Sequence, residues 1–530
     1  MRPGLKSLVE MMALRAESTP GRAAFTFKDR AVSFAQLWSW INRLGRRLQE
    51  LGLERGDRGL IVVPNGPEFF EAFYGLLRTG AAAVPLFPGS GPARIAALAR
   101  ACRAKVVIIP SRAPEEDQAA LGKALGPDLP LVRTGEELPY EEGRIFPHLE
   151  PDDLALIQYT SGSTGNPKGV QLSHGNLLTN TGQMIAGMAI TDKDVFVSWL
   201  PVYHDMGLIL LTMVPFCLAA ELHLLPTDLK NIRLWLRALH RRRATFTAAP
   251  DFAYRLCLNH VSDPGEYDLT CLRVALNAAE MVRPRTILEF ERTFGLKKVM
   301  VPGYGLAEAT VGVSMWPPGE KAAVDGRGFA SVGPPFPGVE LRIVKGGKTQ
   351  PPGQVGEIMV KSPANSRGYL DNPTENERLF VGDGFLATGD LGYLDGSGNL
   401  FIVGREKNII VRAGETISPR EIEEIVDDRP AVRYSAAVGL DRGRAEGEQV
   451  YVFAEIRGPQ DRTRETLARL SRGVTADIRA RLGFRPARVY LVKPRTITLT
   501  HNGKIQYPKL KESYLSGALR QRGLILFPDY

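Results

Sequence analysis

At 530 residues, 44% hydrophobic and 24% charged, the chain has room for roughly two to four domains and a sizeable core that needs no staples. Its formal net charge of +9 suits anionic partners in general, but the densest basic patch, "RALHRRRA" (237–244), lacks the interleaved aromatics of a base-stacking platform and reads as a solvated helix face. Cys102, Cys217, Cys257 and Cys271 form no CxxC pair and no zinc-spaced cluster, which excludes a disulfide-built or zinc-built fold and fits buried thiols in a reducing cytoplasm.

The N-terminal stretch "MRPGLKSLVEMMALRAES" reads as a short amphipathic helix, with charges where a signal peptide would have its apolar centre. Strand-like apolar runs follow: "GLIVVP" (59–64), "AAAVPLFP" (81–88), "AKVVIIP" (104–110), "LALIQYT" (154–160), "VFVSWLP" (195–201), "ATFTAAP" (244–250), "RVALNAAE" (273–280) and "KKVMVPGYG" (297–305). Helical patterns separate most of them, which predicts an α/β fold with largely parallel sheets covered on both faces. The greasiest segment, "LILLTMVPFCLAAELHLL", is broken by Pro215 and carries Glu221 and His223; it reads as a buried helix passing into a strand, not as a transmembrane span.

From about residue 331 the texture shifts to short strands with Gly and Pro turns, "SVGPPFPGVELRIV", "GQVGEIMVKS" and "GNLFIVGRE", predicting a β-rich subdomain over about 331–404. In "ISPREIEEIVDD", Ser418, Pro419 and Glu421 stand where an N-cap, first-turn proline and capping box belong. The rest, with "EQVYVFAEI", "TRETLARLSRGVTADIRARLG" and "ARVYLVKP", predicts a small α+β domain over 405–530. No internal repeat or low-complexity segment interrupts the chain.

The stretch "YTSGSTGNPKGV" (159–170) carries the most chemistry. Gly162, Gly165 and Gly169 permit tight turns that expose backbone N–H groups, Thr160, Ser161, Ser163 and Thr164 add hydroxyls, and Lys168 adds a compact cation. Such a loop suits a polyphosphate. It is not the common GxxxxGK[ST] loop, because Pro167 precedes the lysine and Gly169 follows it.

This string resembles the phosphate-binding signature of the AMP-forming acyl-adenylating superfamily, which includes acyl-CoA synthetases, fatty-acyl-AMP ligases and peptide-synthetase adenylation domains. Further stretches match in the family's order over nearly the whole chain. "LPVYHDMGLI" (200–209) is similar to the histidine-bearing motif in its fatty-acyl-AMP ligase form, which implies His204 at the carboxylate site. "TAAPDFAYRLC" (247–257) resembles the same branch; Phe252 and Tyr254 would line an acyl tunnel, with core packing as the alternative. "NAAE", Asn277, Ala278, Ala279 and Glu280, resembles the adenine-contacting loop, with alanine at 278 where glycine is usual.

"YGLAEAT" (304–310) resembles the family's YGxTE. The resemblance implies that Tyr304 stacks on adenine beside Gly305, and that Glu308, with Thr164, holds Mg²⁺. Ala307 replaces the usual threonine, which removes one hydroxyl contact to phosphate. Asp390 of "TGD" would bind both ribose hydroxyls, Arg405 of "GRE" would reach the same ribose, and Lys407 falls at the family's interdomain hinge. In "NGKIQ", Lys504 would bridge the attacking carboxylate and the α-phosphate.

The resemblance therefore implies an AMP-forming ligase using ATP and Mg²⁺, with Lys504, Lys168, His204 and Glu308 as its catalytic set. It implies a large domain over 1–404 and a small mobile domain over 405–530. The expected substrate is a medium- or long-chain fatty acid, and the expected acceptor is the phosphopantetheine of CoA or of an acyl carrier protein. The two acceptors stay open. Residues 196–310 favour the carrier protein, whereas "NPTENERLFVGDGFLATGD" has no room for the extra segment that many fatty-acyl-AMP ligases carry there. The competing reading is a non-catalytic nucleotide- or acyl-binding regulator on the same fold. Nucleic acid is no expected partner, since only net charge speaks for it.

Overall fold

The computed structural model describes residues 4–135, 146–160, 167–227, 232–412, 415–441, 448–458, 462–499 and 504–528. All eight expected strands of the N-terminal part are present, and they fall into two sheets. One is six-stranded, in the spatial order Leu131–Arg133, Val106–Ile109, Arg58–Ile61, Ala82–Pro85, Leu154–Thr160, Lys168–Ser173. Its pairings are parallel except the last, where Leu154–Thr160 and Lys168–Ser173 run antiparallel. The other is eight-stranded, with a parallel centre made by Ala23–Phe27, Glu221–Leu224, Val195–Ser198, Phe246–Ala249, Val274–Asn277 and Met300–Tyr304. Strands Val106–Ile109, Phe246–Ala249 and Val274–Asn277 are buried at every position, as a sheet covered on both faces requires. A hydrophobic core running from Leu8 to Leu400 packs against them, and a second cluster that includes Leu60, Val107, Ile109 and Ile157 covers the other face of the six-stranded sheet.

The greasy segment is a buried helix, Met206–Met213 followed by Val214–Leu218, which passes into the strand Glu221–Leu224. Its first half is wound in the wide π form; the Val214 N–H reaches back five residues to the Ile209 carbonyl. Among the described residues no helix is long and apolar enough to cross a membrane.

The β-rich region is an antiparallel sheet that includes Ser331–Gly333, Leu400–Arg405, Leu386–Leu394, Gly356–Lys361 and Glu340–Lys345. The smaller C-terminal domain is built on the sheet Val432–Leu440, Gln449–Ile456, Arg488–Val492, Ile525–Phe527, flanked by the helices Pro419–Asp427, Arg464–Leu482 and Tyr507–Leu515. Two hydrophobic clusters of its own, beginning at Ile410 and at Ala436, fill it. The Ser418 capping box forms as its sequence requires, with the Ser418 N–H donating to Glu421 Oε2 at 3.0 Å.

Candidate active site

A cleft of about 1480 Å³ opens between the large part and the C-terminal domain. The carboxyl ends of three strands feed it: Leu154–Thr160 ends at Thr160, Val274–Asn277 runs into Ala278–Glu280, and Met300–Tyr304 runs into Gly305–Glu308. Ligand sites in open parallel sheets gather at such ends. Thr160 and Lys168 are paired across antiparallel strands, and both line the cleft. Ser161, Gly162, Ser163, Thr164 and Gly165 lie outside the described residues.

Asp390 anchors one wall. It faces Arg405 on the neighbouring antiparallel strand, which places Arg405 Nε 2.7 Å from Asp390 Oδ1. The Tyr304 hydroxyl donates to Asp390 Oδ2 at 2.6 Å. Burial first, and the adjacent Asp390 charge next, hold the Tyr304 phenol well above its usual range, so it stays a donor. Gly305 follows because a Cβ there would meet the Val311 carbonyl oxygen at 1.6 Å.

Lys168, Glu308 and two residues the sequence reading missed, Tyr369 and Glu375, also line the cleft. The Tyr369 hydroxyl donates to Glu308 Oε1 at 2.7 Å, and the Lys168 ammonium lies 4.9 Å from the centre of the Tyr369 ring. Lys168 is paired with Glu375, which this bond holds below the usual carboxylate range. The segment 367–370 is laid alongside Gly169–Gln171, with Gln171 N–H donating to Gly368 O and Leu370 N–H to Gly169 O. That long-range pairing puts Tyr369 in the site; the only local sign was "RGY" in a Pro- and Asn-rich loop.

His204 enters from the loop before the π-wound helix, its Nδ1 2.5 Å from Asp205 Oδ1. Asp205 caps that helix by accepting from the Met206 N–H at 2.7 Å. Burial would raise the Asp205 carboxyl, but His204, the Met206 N–H and the Lys504 charge together hold it below its usual range. Gly207 is required here, since a Cβ would meet the Pro201 carbonyl oxygen at 2.1 Å.

Lys504 reaches the same cleft from the C-terminal domain. Its side chain keeps a face open to the cleft while protein crowds it on the others. That loss of water first, and the Arg405 guanidinium next, lower its ammonium pKa against the pull of Asp205, Glu280 and Asp390. Lys407 lies on the turn just after Leu400–Arg405 and lines the cleft; crowding, Arg405 and Lys168 lower it to about 8 against Asp390 and Glu308.

Three expected site residues stand elsewhere. Asn277 is fully buried, its Nδ2 donating to Asp251 Oδ1 at 3.0 Å, while the next residues, Ala278, Ala279 and Glu280, face the cleft. Ala279 adopts φ +69°, a strained conformation for a residue with a Cβ. Tyr254 is a core residue: fully buried, packed on Trp235 and Phe290, its hydroxyl donating to Leu276 O at 2.9 Å. Phe252 is half-buried and packs against the core. Neither lines the cleft, whose apolar arm is walled by Met184, Met188, Leu210, Val311, Met315 and Phe336. Among the described residues no three His, Cys, Asp or Glu side chains converge as a metal centre.

The chain belongs to the AMP-binding enzyme family, whose profile matches residues 12–370. It is 31% identical to a putative acyl-CoA synthetase of Caulobacter vibrioides, over 92% of this chain and 91% of that protein. It is 29% identical to the medium-chain-fatty-acid–[acyl-carrier-protein] ligase JamA of Moorena producens, over 98% of this chain and 97% of that protein. A solved structure from work on the fatty acyl-adenylate ligases of E. coli and L. pneumophila superposes with a TM-score of 0.86 at 26% identity, covering 98% of this chain and 99% of that one.

Proposed function

We propose that this protein activates a medium- or long-chain fatty acid with ATP, forming acyl-AMP and pyrophosphate, and then passes the acyl group to a phosphopantetheine thiol. The observation that carries this reading is the meeting of Lys168 and Lys504, far apart in the chain, in one cleft beside the Tyr304–Asp390–Arg405 cluster. The fatty-acid carboxylate attacks the α-phosphorus in line, and pyrophosphate leaves. Two anions must approach, so the ammonium groups of Lys168 and Lys504 supply positive potential while Asp390 and Arg405 fix the ribose.

Ala278, Ala279, Glu280, Gly305 and the Tyr304 ring form the adenine wall, and Thr160 with Ser161, Gly162, Ser163, Thr164 and Gly165 is assigned to phosphate. His204, oriented by Asp205, positions the substrate carboxylate at the mouth of the apolar arm. That arm, flanked by methionines and a phenylalanine, suits an alkyl chain. Magnesium fits the donors present, because it takes most of its ligands from phosphate and water and needs only one or two carboxylates; Glu308, with Thr164, would hold it, and it would neutralise phosphate charge.

The two named relatives differ in acceptor, one by name an acyl-CoA synthetase and the other an acyl-carrier-protein ligase, and phosphopantetheine is the chemistry they share. We take 1–404 and 405–530 as the two moving bodies, with Lys407 at the hinge; the change from the core cluster ending at Ile409 to the one beginning at Ile410 falls just beyond that boundary and supports a hinge near Lys407. Four free cysteines support a reducing compartment, the cytoplasm.

The test is to incubate the enzyme with ATP, magnesium and fatty acids of graded length, then add CoA or a pantetheinylated carrier protein and identify products by mass. Acyl-AMP and pyrophosphate are expected with at least one acid; nucleotide binding without turnover across the series would overturn the proposal in favour of a regulator. Lys504→Ala should abolish acyl-AMP formation, a loss on the order of 10²–10³ or more, while largely sparing thioester formation from supplied acyl-AMP. Equal loss in both half-reactions would contradict its assigned role.

A further inference from the structure

Lys504 can act only while the C-terminal domain holds it in the cleft, so the contacts that orient this domain decide when adenylate can form. Resting on the acyl-activating function proposed for the cleft, we infer that a buried arginine–carboxylate interface, centred on the ion pair between Arg283 and Asp427, is the latch that positions Lys504 for adenylate formation.

The helix Pro419–Asp427 carries Arg420, Glu423, Glu424 and Asp427 at helical spacing, so they share one face. That face meets the N-terminal ends of two large-part helices, Asp251–His260 and Pro284–Thr293. Arg283 Nη2 lies 2.6 Å from Asp427 Oδ2, and the two side chains are only 11% and 8% exposed. The Arg283 N–H donates to Asp251 Oδ1 at 3.2 Å, and Arg255 Nε lies 3.1 Å from Asp251 Oδ2. Arg420 sits in the field of Asp251 and of Glu423, Glu424 and Asp427 on its own helix. At the rim, Arg285 Nη1 meets Asp428 Oδ1 at 2.7 Å.

The same helix grips the segment that carries Lys504. Glu423 Oε1 accepts from the Tyr507 hydroxyl at 2.8 Å and from the Ala437 N–H at 3.0 Å. Tyr507 opens the helix Tyr507–Leu515, three residues beyond Lys504. Arg283 is therefore connected to Lys504 through Asp427, one turn of helix, Glu423 and Tyr507. The path is short, and its two side-chain links, Arg283–Asp427 and Glu423–Tyr507, are polar.

The composition of this interface fits a joint that must open. Five carboxylates, Asp251, Glu280, Glu423, Glu424 and Asp427, share three guanidiniums, Arg255, Arg283 and Arg420. Burial raises the pKa of all five carboxyl groups. Asp251 Oδ2, Glu423 Oε2 and the Nε atoms of Arg255, Arg283 and Arg420 are buried without an aligned hydrogen bond. Charges held this way attract one another but are costly to keep from water. Opening returns their hydration, so the interface specifies an orientation with little net adhesion, where an apolar seam would grip too firmly. Arg283 and Asp427 do not line the cleft; they are positioning residues.

The experiment measures both half-reactions of the full-length enzyme: pyrophosphate release with fatty acid and ATP, and thioester formation from supplied acyl-AMP. Arg283→Glu should slow pyrophosphate release about tenfold or more and leave thioester formation within about twofold. The charge swap, Arg283→Glu with Asp427→Arg, should restore most of the first half-reaction. Arg283→Gln, milder to folding, should move the same way by less, and thermal melting checks that each variant is folded. Equal loss in both half-reactions, failure of the swap in a folded protein, or no change in either rate would overturn the latch. A wild-type enzyme that makes no acyl-AMP would instead overturn the function on which it rests.

Discussion

Asp390 shows how one side chain can hold a site together. Its two oxygens are taken by a phenol and a guanidinium at 2.6 and 2.7 Å, so a ribose would enter a carboxylate already fixed in direction. Asp390→Asn keeps the shape but strands Arg405 without its counter-charge; kcat/KM for ATP is expected to fall about 10- to 100-fold with little change in thermal midpoint. Steady-state kinetics and a melt of the same preparation check it. Asp390, Arg405 and both lysines were legible because each sits in a short string whose residue types have few other reasons to occur together. Tyr369 and Glu375 were not, because their place beside Lys168 comes from pairing between segments some two hundred residues apart. Phe252 and Tyr254 could be read either way from sequence, since an aromatic pair fills a core as readily as it lines a tunnel; the Tyr254 hydroxyl bond to Leu276 O settles that residue as core.

The secondary-structure elements were more legible than the contacts between them. Strands buried on both faces announce themselves as apolar runs, and the capping box at Ser418 is written in three residues. The π winding of Met206–Met213 is not: nothing in "MGLILLTM" distinguishes it from an ordinary buried helix. Gly207 ties this helix to the Pro201 carbonyl and so to His204; Gly207→Ala should cost about 1–3 kcal/mol and lower activity together, read by chemical denaturation and turnover. A second element carries a pH signature. His174, at the first turn of the His174–Gly187 helix, accepts from the Leu8 N–H at 3.3 Å, and burial lowers its pKa to about 4. Its folded value lies below the ordinary 6.5, so the stability present above pH 6.5 is lost as pH falls toward 4. The loss reaches about 3 kcal/mol. Buried Glu71 and Glu423, both raised to about 7, change stability in the opposite direction. The comparison to make is therefore between wild type and His174→Gln: on going from pH 7.5 to 5, the urea midpoint of the variant should rise relative to that of wild type.

At the scale of the whole molecule, the C-terminal domain was legible from the small α+β pattern that follows "GRE" and the polar tail around Lys504. The joint between the parts was not. Arg420, Glu424 and Asp427 have the spacing of a solvated helix face, and only the fold shows that face buried against Arg283 and Asp251. The walls of the cleft come partly from the large part and partly from Arg420, Tyr434, Lys504 and Tyr507 of the C-terminal domain. Ligand occupancy and domain orientation are then thermodynamically linked: a nucleotide that touches both walls favours the closed arrangement by the same factor by which closure tightens the nucleotide. An enzyme closed only about a tenth of the time would display a dissociation constant about tenfold weaker than that of the assembled site. Measured affinity for ATP thus doubles as a gauge of domain closure, and substitutions remote from the nucleotide can weaken its binding without altering a single contact to it.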